Sequence, residues 1–172
     1  MVTEGEAVPE AAPLRAWRYW QVSSRRRLRS VAQKHVEWPV DRPLHAVCLS
    51  GGHLAPAAVC SCGISGARDL DALRQHGLCV YPGGLVVGEV DLWGRVVPDS
   101  YGFRAEYARV ASVALVEGTV EDDTKVQRVI EALGEYGAPV TVVPLEEAVA
   151  GTTAMTLAFQ VMSGRASRSL DT

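Results

Sequence analysis

Three cysteines and one histidine lie close together in the first half of the chain and are its best candidates for chemistry. The chain has four cysteines and four histidines, and this group consists of Cys48, His53, Cys60 and Cys62. Thiolate and imidazole are the donors that Zn²⁺ prefers in a structural role, where four of them form a closed tetrahedron. Two short ligand-bearing segments joined by a loop with Gly and Pro can supply such a set. The sequence therefore predicts a structural zinc site.

The same group allows a thiol-dependent mechanism. Cys60 or Cys62 could act as a nucleophile with His53 as its base, and the dipole of a helix predicted after Cys62 would lower the thiol pKa. No oxyanion-hole donor or third triad residue is evident, which disfavours this alternative. A C-x-C motif is also less diagnostic than paired C-x-x-C motifs, and Cys48 could simply be a small apolar residue on a strand.

Composition limits the other classes of function. The formal net charge of -3 argues against a general affinity for nucleic acid or anionic membranes, and the 48% hydrophobic content is enough for a core. No apolar run reaches the roughly 20 residues that span a bilayer. The acidic N-terminus lacks the apolar region of a signal peptide, so we expect a cytoplasmic protein. Thiols stay reduced there, which favours metal ligands over disulfides.

A short basic run offers a nucleic-acid alternative. Residues 25–29 read Arg-Arg-Arg-Leu-Arg, and they follow the aromatic residues Trp17, Tyr19 and Trp20. Arginines beside aromatic rings can bind a phosphate backbone and stack on bases. The acidic total of the chain and the frequency of basic runs in solvated turns disfavour this interpretation.

Two further motifs have an ordinary structural interpretation. Gly51-Gly52 follows an apolar stretch, but no G-x-G-x-x-G or G-K-[ST] pattern accompanies it, so a turn is favoured over a phosphate-binding loop. Arg104 and Glu106 alternate with apolar residues, which predicts an ion pair on one face of a strand, with Arg95 on the neighbouring strand as a further partner. A ligand-binding role for this Arg/Glu pair is the alternative.

The clearest elements are two strands that form a hairpin. The runs 85–97 and 103–115 are rich in β-branched residues and flank the turn Pro-Asp-Ser-Tyr-Gly. Gly88 and Gly94 interrupt the first run and predict bulges that bend the sheet. Two short strands are predicted around the turn at 23–26, with a single amphipathic helix as the alternative.

The remaining elements are shorter. A strand is predicted at 45–49, a helix capped by Ser65 and ended by Gly77, a helix over 122–136 with apolar residues at helical spacing, and a strand at 139–143. A helical turn is predicted at 145–150, and the apolar segment 154–162 is predicted to be a packed or partner-binding helix. Cys79 is predicted to be an ordinary core residue.

Three stretches form an ordered series of motifs. They are Arg15-Ala-Trp17 with Leu28-Arg-Ser30 and Trp38; Ala46-Val-Cys48 with His53-Leu-Ala-Pro56 and Cys60-Ser-Cys-Gly-Ile64; and the run 87–97 with Gly102-Phe-Arg-Ala-Glu-Tyr-Ala108. The series covers about residues 15–145 and resembles a family of uncharacterised intracellular proteins of actinobacteria and their phages. The resemblance implies an arrangement of motifs and no activity. Ser65-Gly66 and Arg109-Val110 depart from the family pattern, and neither change touches the cysteine and histidine set.

These observations predict an α+β protein in which a bent antiparallel sheet or small β-barrel carries two to three flanking helices. A flexible tail is expected at 1–13, a single domain at 14–150, and a C-terminal helix with a frayed tail at 151–172. The favoured function is a non-enzymatic binding or regulatory module stabilised by structural zinc, with an unidentified protein or small molecule as its partner. The alternatives are a thiol- or zinc-dependent hydrolase and a nucleic-acid-associated protein.

Overall fold

A long antiparallel hairpin organises the fold. The computed structural model describes residues 12–33, 35–75, 84–120 and 122–149, and its two longest strands are β5 (Leu85–Pro98) and β6 (Gly102–Val116). Their pairing runs from Pro98 opposite Phe103 to Val86 opposite Leu115, as the sequence predicts. The register shifts between Glu89 and Val90 and again between Trp93 and Val96, close to the two glycines that predicted bulges.

The other strands lie on both sides of this hairpin. They are β1 (Leu14–Val22), β2 (Leu28–Ser30), β3 (Leu44–His45), β4 (Ile64–Ala67) and β7 (Val140–Val143). β1 pairs antiparallel with β5 and carries β2 on its outer end, so the predicted two strands around the 23–26 turn form and the alternative helix does not. The second edge of β6 receives β4, β3 and β7 in succession, the last of these in parallel.

The sheet bends back on itself without becoming a regular barrel. β1 pairs with β4 through Trp17 opposite Ala67, so β1, β4, β6 and β5 pair in a ring. Only this one residue pair joins β1 to β4, whereas a barrel needs a continuous ladder between all neighbours. The predicted small barrel is therefore replaced by a strongly bent, strand-rich sheet in a mixed α+β fold.

Three helices occur in the described residues: α1 (Leu70–Gln75), α2 (Asp123–Gly134) and α3 (Leu145–Val149). α2 matches its predicted position, and Asp122 caps it by accepting a 2.9 Å hydrogen bond from the Thr124 backbone N–H. No helix in these ranges combines the length and apolarity that crossing a membrane requires.

Successive side chains of β1 point alternately into two separate parts of the hydrophobic core. Ala16 and Trp20 face a larger cluster that includes Trp38 and the buried face of α2. Trp17 and Tyr19 face a smaller cluster that includes residues of α1 and α3. Because successive side chains of a strand point to opposite faces, the helices pack on both sides of the sheet.

The predicted helix capped by Ser65 is wrong at its start. Residues 64–67 form β4, in which Ser65 pairs with Arg104, and the helix begins only at Leu70. Asp69 caps it instead, since its carboxylate accepts a 2.7 Å hydrogen bond from the Ala72 N–H. The strand predicted at 45–49 is also shorter, because only Leu44 and His45 pair with β6.

Several predictions lie outside the described residues. They concern Gly77 as the end of α1, Cys79 as a core residue, the segment at 154–162 and the tail at 151–172. The predicted N-terminal tail at 1–13 overlaps the described part only at residues 12 and 13, which are exposed.

Candidate metal centre

The four predicted ligands come from one loop that connects β3 to β4. Both strands pair with the same edge of β6, β3 at residues 107–108 and β4 at residues 102–105, so one strand holds both ends of the loop. Ala46 extends this attachment by donating its N–H to the Glu106 carbonyl at 2.8 Å. The loop therefore starts and returns within a few residues of β6, which places its first cysteine near its last two.

Local backbone conformation shapes the loop. Gly51 and Gly52 both have positive φ, at 70° and 83°, and they turn the chain between Cys48 and His53. This is the turn that the sequence favours for the Gly-Gly pair. Ala55 and Pro56 are buried and anchor the middle of the loop, and Gly63, at φ 116°, leads the chain from Cys62 into β4.

The donor atoms of Cys48, His53, Cys60 and Cys62 all lie within 4.8 Å of one another, and they could hold a metal ion. The Sγ atoms of Cys48 and Cys60 are 3.9 Å apart, and Cys48 Sγ is 3.3 Å from His53 Nε2. Ligands at Zn–S and Zn–N bond lengths of about 2.3 and 2.0 Å place two tetrahedral sulfurs about 3.8 Å apart, and a sulfur and a nitrogen about 3.5 Å apart. These two separations are close to the tetrahedral values, and the three cysteines form no disulfide.

The histidine ring is oriented by its own loop. His53 Nδ1 lies 3.1 Å from the Leu54 carbonyl oxygen, which can accept only if Nδ1 carries the proton. Nε2 then keeps its lone pair and faces Cys48. Metal-binding histidines commonly donate their other ring N–H in this way. The Leu54 carbonyl, with Cys60 as a smaller influence, raises the pKa of His53.

The two neighbouring cysteines differ in acidity. The backbone N–H of Cys62 donates to the sulfur of Cys60, and together with the Cys62 and His53 side chains it lowers the pKa of Cys60 to about 7. Partial burial raises the pKa of Cys62. Metal ligation requires the thiolate. Of these two cysteines, Cys60 therefore loses its proton more readily when a metal binds.

Arg104 binds the loop through hydrogen bonds to its backbone carbonyls. This side chain of β6 is 8% exposed, and its Nη1 donates to the carbonyl oxygens of Cys60, of Cys62 at 2.7 Å and of Ala57 at 3.3 Å. Its Nε donates to Asp99 at 3.1 Å. Arg104 therefore fixes the backbone of two predicted ligands, as outer contacts of metal sites commonly do.

The predicted ion pair between Arg104 and Glu106 is wrong. The two side chains do not pair with each other: Arg104 pairs with Asp99, and Glu106 lies 3.7 Å from His45 and accepts the Arg95 backbone N–H at 3.1 Å. The sequence signal for Arg104 was its alternation, together with Glu106, with apolar residues of the strand. Its contacts with the ligand loop depend on long-range pairing that no local pattern shows.

The basic run lies apart from this loop and is largely paired. Arg25 is 3.7 Å from Glu37, Arg27 is 2.7 Å from Glu135, and Arg29 donates to Gln21 at 3.2 Å. Three of the four arginines of the run thus have an acid or an amide as a partner.

Fold and site together define a strand-rich α+β protein with a Cys₃His group that could hold a metal ion. Comparisons of the chain with protein-family models, with curated proteins and with solved structures found no match. The resemblance to the actinobacterial and phage family stays a prediction that rests on its motifs.

Proposed function

We propose that this protein is a non-enzymatic binding or regulatory module whose fold is stabilised by one structural zinc ion. The ion would be held by Cys48, His53, Cys60 and Cys62. The single observation that carries the proposal is the convergence of these four donors within 4.8 Å. Four protein ligands leave no open position for a substrate or water, and a closed set of this kind is typical of structural zinc.

The surface of the loop supports a binding role. Four large apolar side chains of the loop are exposed, at fractions from 69% to 100%: Val47, Leu49, Leu54 and Val59. A contiguous exposed apolar surface marks a contact site for partners, and we infer that these side chains of one loop form such a surface. Zinc would hold these side chains in a fixed arrangement, and a protein or small-molecule partner would bind across them.

The thiol-dependent alternative has one observation in its favour. Cys60 has a pKa lowered to about 7 and interacts with His53, as a nucleophile and its base would. Against it, Cys48 occupies the space beside both groups. A hydrolase would need an open position on the zinc, with Cys48 turned into the core. Here Cys48 Sγ instead lies beside His53 and Cys60.

Metal analysis of protein purified without added zinc tests the proposal. We expect one equivalent of zinc and thiols that resist alkylation until a chelator is added. Cys62→Ser should lose the metal and lower the unfolding temperature, because the binding energy of a structural zinc is folding energy. Ser61→Ala, an exposed change between the two cysteines, should keep both properties.

A different result would contradict the proposal. Metal-free protein with a rapidly alkylated Cys60 or Cys62 and an unchanged unfolding temperature after chelation would exclude structural zinc and favour thiol chemistry.

A further inference from the structure

Arg18 on β1 lies outside the candidate metal centre and has only neutral partners. Its Nη1 donates to the carbonyl and hydroxyl of Ser65, the latter at 2.9 Å, and its Nη2 donates to Ser30 Oγ at 3.3 Å. The guanidinium also lies 5.3 Å from the centroid of the Trp38 ring. Among the described residues, no carboxylate forms an ion pair with it.

Arg104 shows how the same fold neutralises another enclosed arginine. Arg104 has Asp99 at 3.1 Å in addition to its carbonyl partners, whereas the residues that the structure describes give Arg18 no acidic partner. Burial accordingly lowers the pKa of Arg18 to about 10, and Tyr101 opposes this shift. Arg18 is half-buried, and a partly desolvated cation without a counter-ion is costly, so a bound anion would reduce that cost.

Two N–H groups of the Arg18 guanidinium have no hydrogen-bond partner among the described residues. A guanidinium has five N–H groups, and the three hydrogen bonds above use two at Nη1 and one at Nη2. Nε–H is enclosed and has no partner in the part of the chain that the structure describes. Nε–H and Nη2 form the edge with which arginine binds a carboxylate through two parallel hydrogen bonds. Because Nε is closed off from solvent, a carboxylate could reach this edge only after the guanidinium turns towards the cavity.

A cavity of about 80 Å³ lies against this arginine. Its walls combine one cation with aromatic and aliphatic groups: Arg18, Trp17, Tyr19, Tyr101, Val31 and Leu73. The volume equals that of two or three waters at about 30 Å³ each, which is room for a carboxylate and one or two carbon atoms. A single cation neutralises a monoanion, whereas a phosphate dianion would keep an unpaired charge among apolar walls.

We propose that this cavity binds the carboxylate group of a small monoanionic ligand, with Arg18 as its charge partner. The apolar walls hold the carbon atoms next to the carboxylate. The site is independent of the candidate metal centre, because none of its lining residues is a predicted metal ligand.

Propionate is the probe for the test. Thermal unfolding of the full chain is measured in propionate and in chloride at the same ionic strength, with zinc content recorded in parallel. At propionate concentrations of ten times Kd, the wild-type midpoint should rise by about 3 °C or more relative to chloride. Arg18→Gln should abolish this rise, whereas Arg128→Gln, an exposed arginine on α2, should retain it.

A second variant keeps the test decisive if Arg18→Gln fails to fold. Ala32 is exposed at the border of the cavity, so Ala32→Leu should fill the cavity and leave the Arg18 hydrogen bonds intact. Propionate binding, measured by saturation-transfer NMR, should then weaken by at least tenfold. The proposal is overturned if wild-type protein shows no propionate effect, if either variant responds as wild type does, or if phosphate stabilises as strongly as propionate.

Discussion

Gly63 connects the last predicted ligand to β4 in a conformation that other residues resist. Its φ is 116°, and a Cβ at this position would lie 2.8 Å from the Pro56 Cβ and 3.1 Å from the Arg104 Cβ. The chain can therefore pass close to both side chains only because the residue has no side chain of its own.

Gly63→Ala should destabilise the protein by about 1–3 kcal/mol, through backbone strain and the two close contacts. Denaturant unfolding measures this change. Gly134→Ala is the matched control, because Gly134 ends α2 with no atom within 4 Å of the added Cβ and alanine favours helix. Equal effects of the two substitutions would show that the Gly63 contacts do not constrain the loop.

The different pKa values of Cys60 and Cys62 predict that Cys60 is alkylated at lower pH than Cys62. In chelator-treated protein, Cys60 should be alkylated half-maximally near pH 7, because its pKa is lowered to about 7 and the reactive species is the thiolate. Below that pH the thiol is protonated and the rate falls. Alkylation of Cys62, whose pKa is raised, should increase only at more alkaline pH. Peptide mass mapping measures the alkylation of each cysteine as a function of pH. If both cysteines show the same pH dependence, the hydrogen bonds assigned to the Cys60 sulfur are contradicted.

At the scale of elements, β6 holds the ligand loop in two ways. It pairs with both strands that flank the loop, and it supplies Arg104, which hydrogen-bonds to three loop carbonyls. Backbone carbonyls of the ligand-bearing residues are thus fixed by a side chain that contacts no donor atom of the site itself. Outer contacts of this kind orient metal ligands.

Arg104→Gln should weaken zinc binding by roughly 10- to 100-fold, as loss of an outer partner typically does. Competition with a chromogenic chelator measures the affinity. Arg109→Gln provides the control, since Arg109 is exposed on the same strand. A variant at 104 that binds zinc as tightly as the control would mean that strand pairing alone positions the cysteines.

For the whole molecule, Tyr136 joins α2 to the first strands of the sheet. Its hydroxyl accepts the Leu28 N–H at 2.9 Å and donates to the Trp38 carbonyl at 2.9 Å. Leu28 and Trp38 are buried in the larger core cluster, where Trp20 and Trp38 meet edge to face at 5.4 Å. One hydroxyl therefore satisfies two backbone groups that water cannot reach.

Tyr136→Phe should lower the free energy of unfolding by about 1–3 kcal/mol, because it leaves a buried N–H and a buried carbonyl without partners. Tyr107→Phe, which removes the hydroxyl from a half-buried ring stacked on His45, should change it much less. Thermal unfolding compares the two. A small effect at 136 would indicate that both backbone groups find other partners.

The hairpin and α2 follow from local patterns, which is why they were predictable. β-branched runs around a Pro/Asp/Gly turn define β5 and β6, and apolar residues at helical spacing define α2. Residues 64–67 show the limit of such patterns. Their local sequence suits a helix start, yet pairing with β6 places them in a strand, because tertiary hydrogen bonds outweigh a single cap.

The types of the four donor residues and their placement on both sides of a Gly/Pro turn can be read from the sequence, since both are properties of nearby residues. The contact between Cys48 and Cys60 cannot, because it depends on β3 and β4 pairing with the same edge of β6. The surroundings of Arg104 and Arg18 likewise depend on distant strands. A local alternation shows which face of a strand a side chain occupies, but it does not show which strand lies beside it.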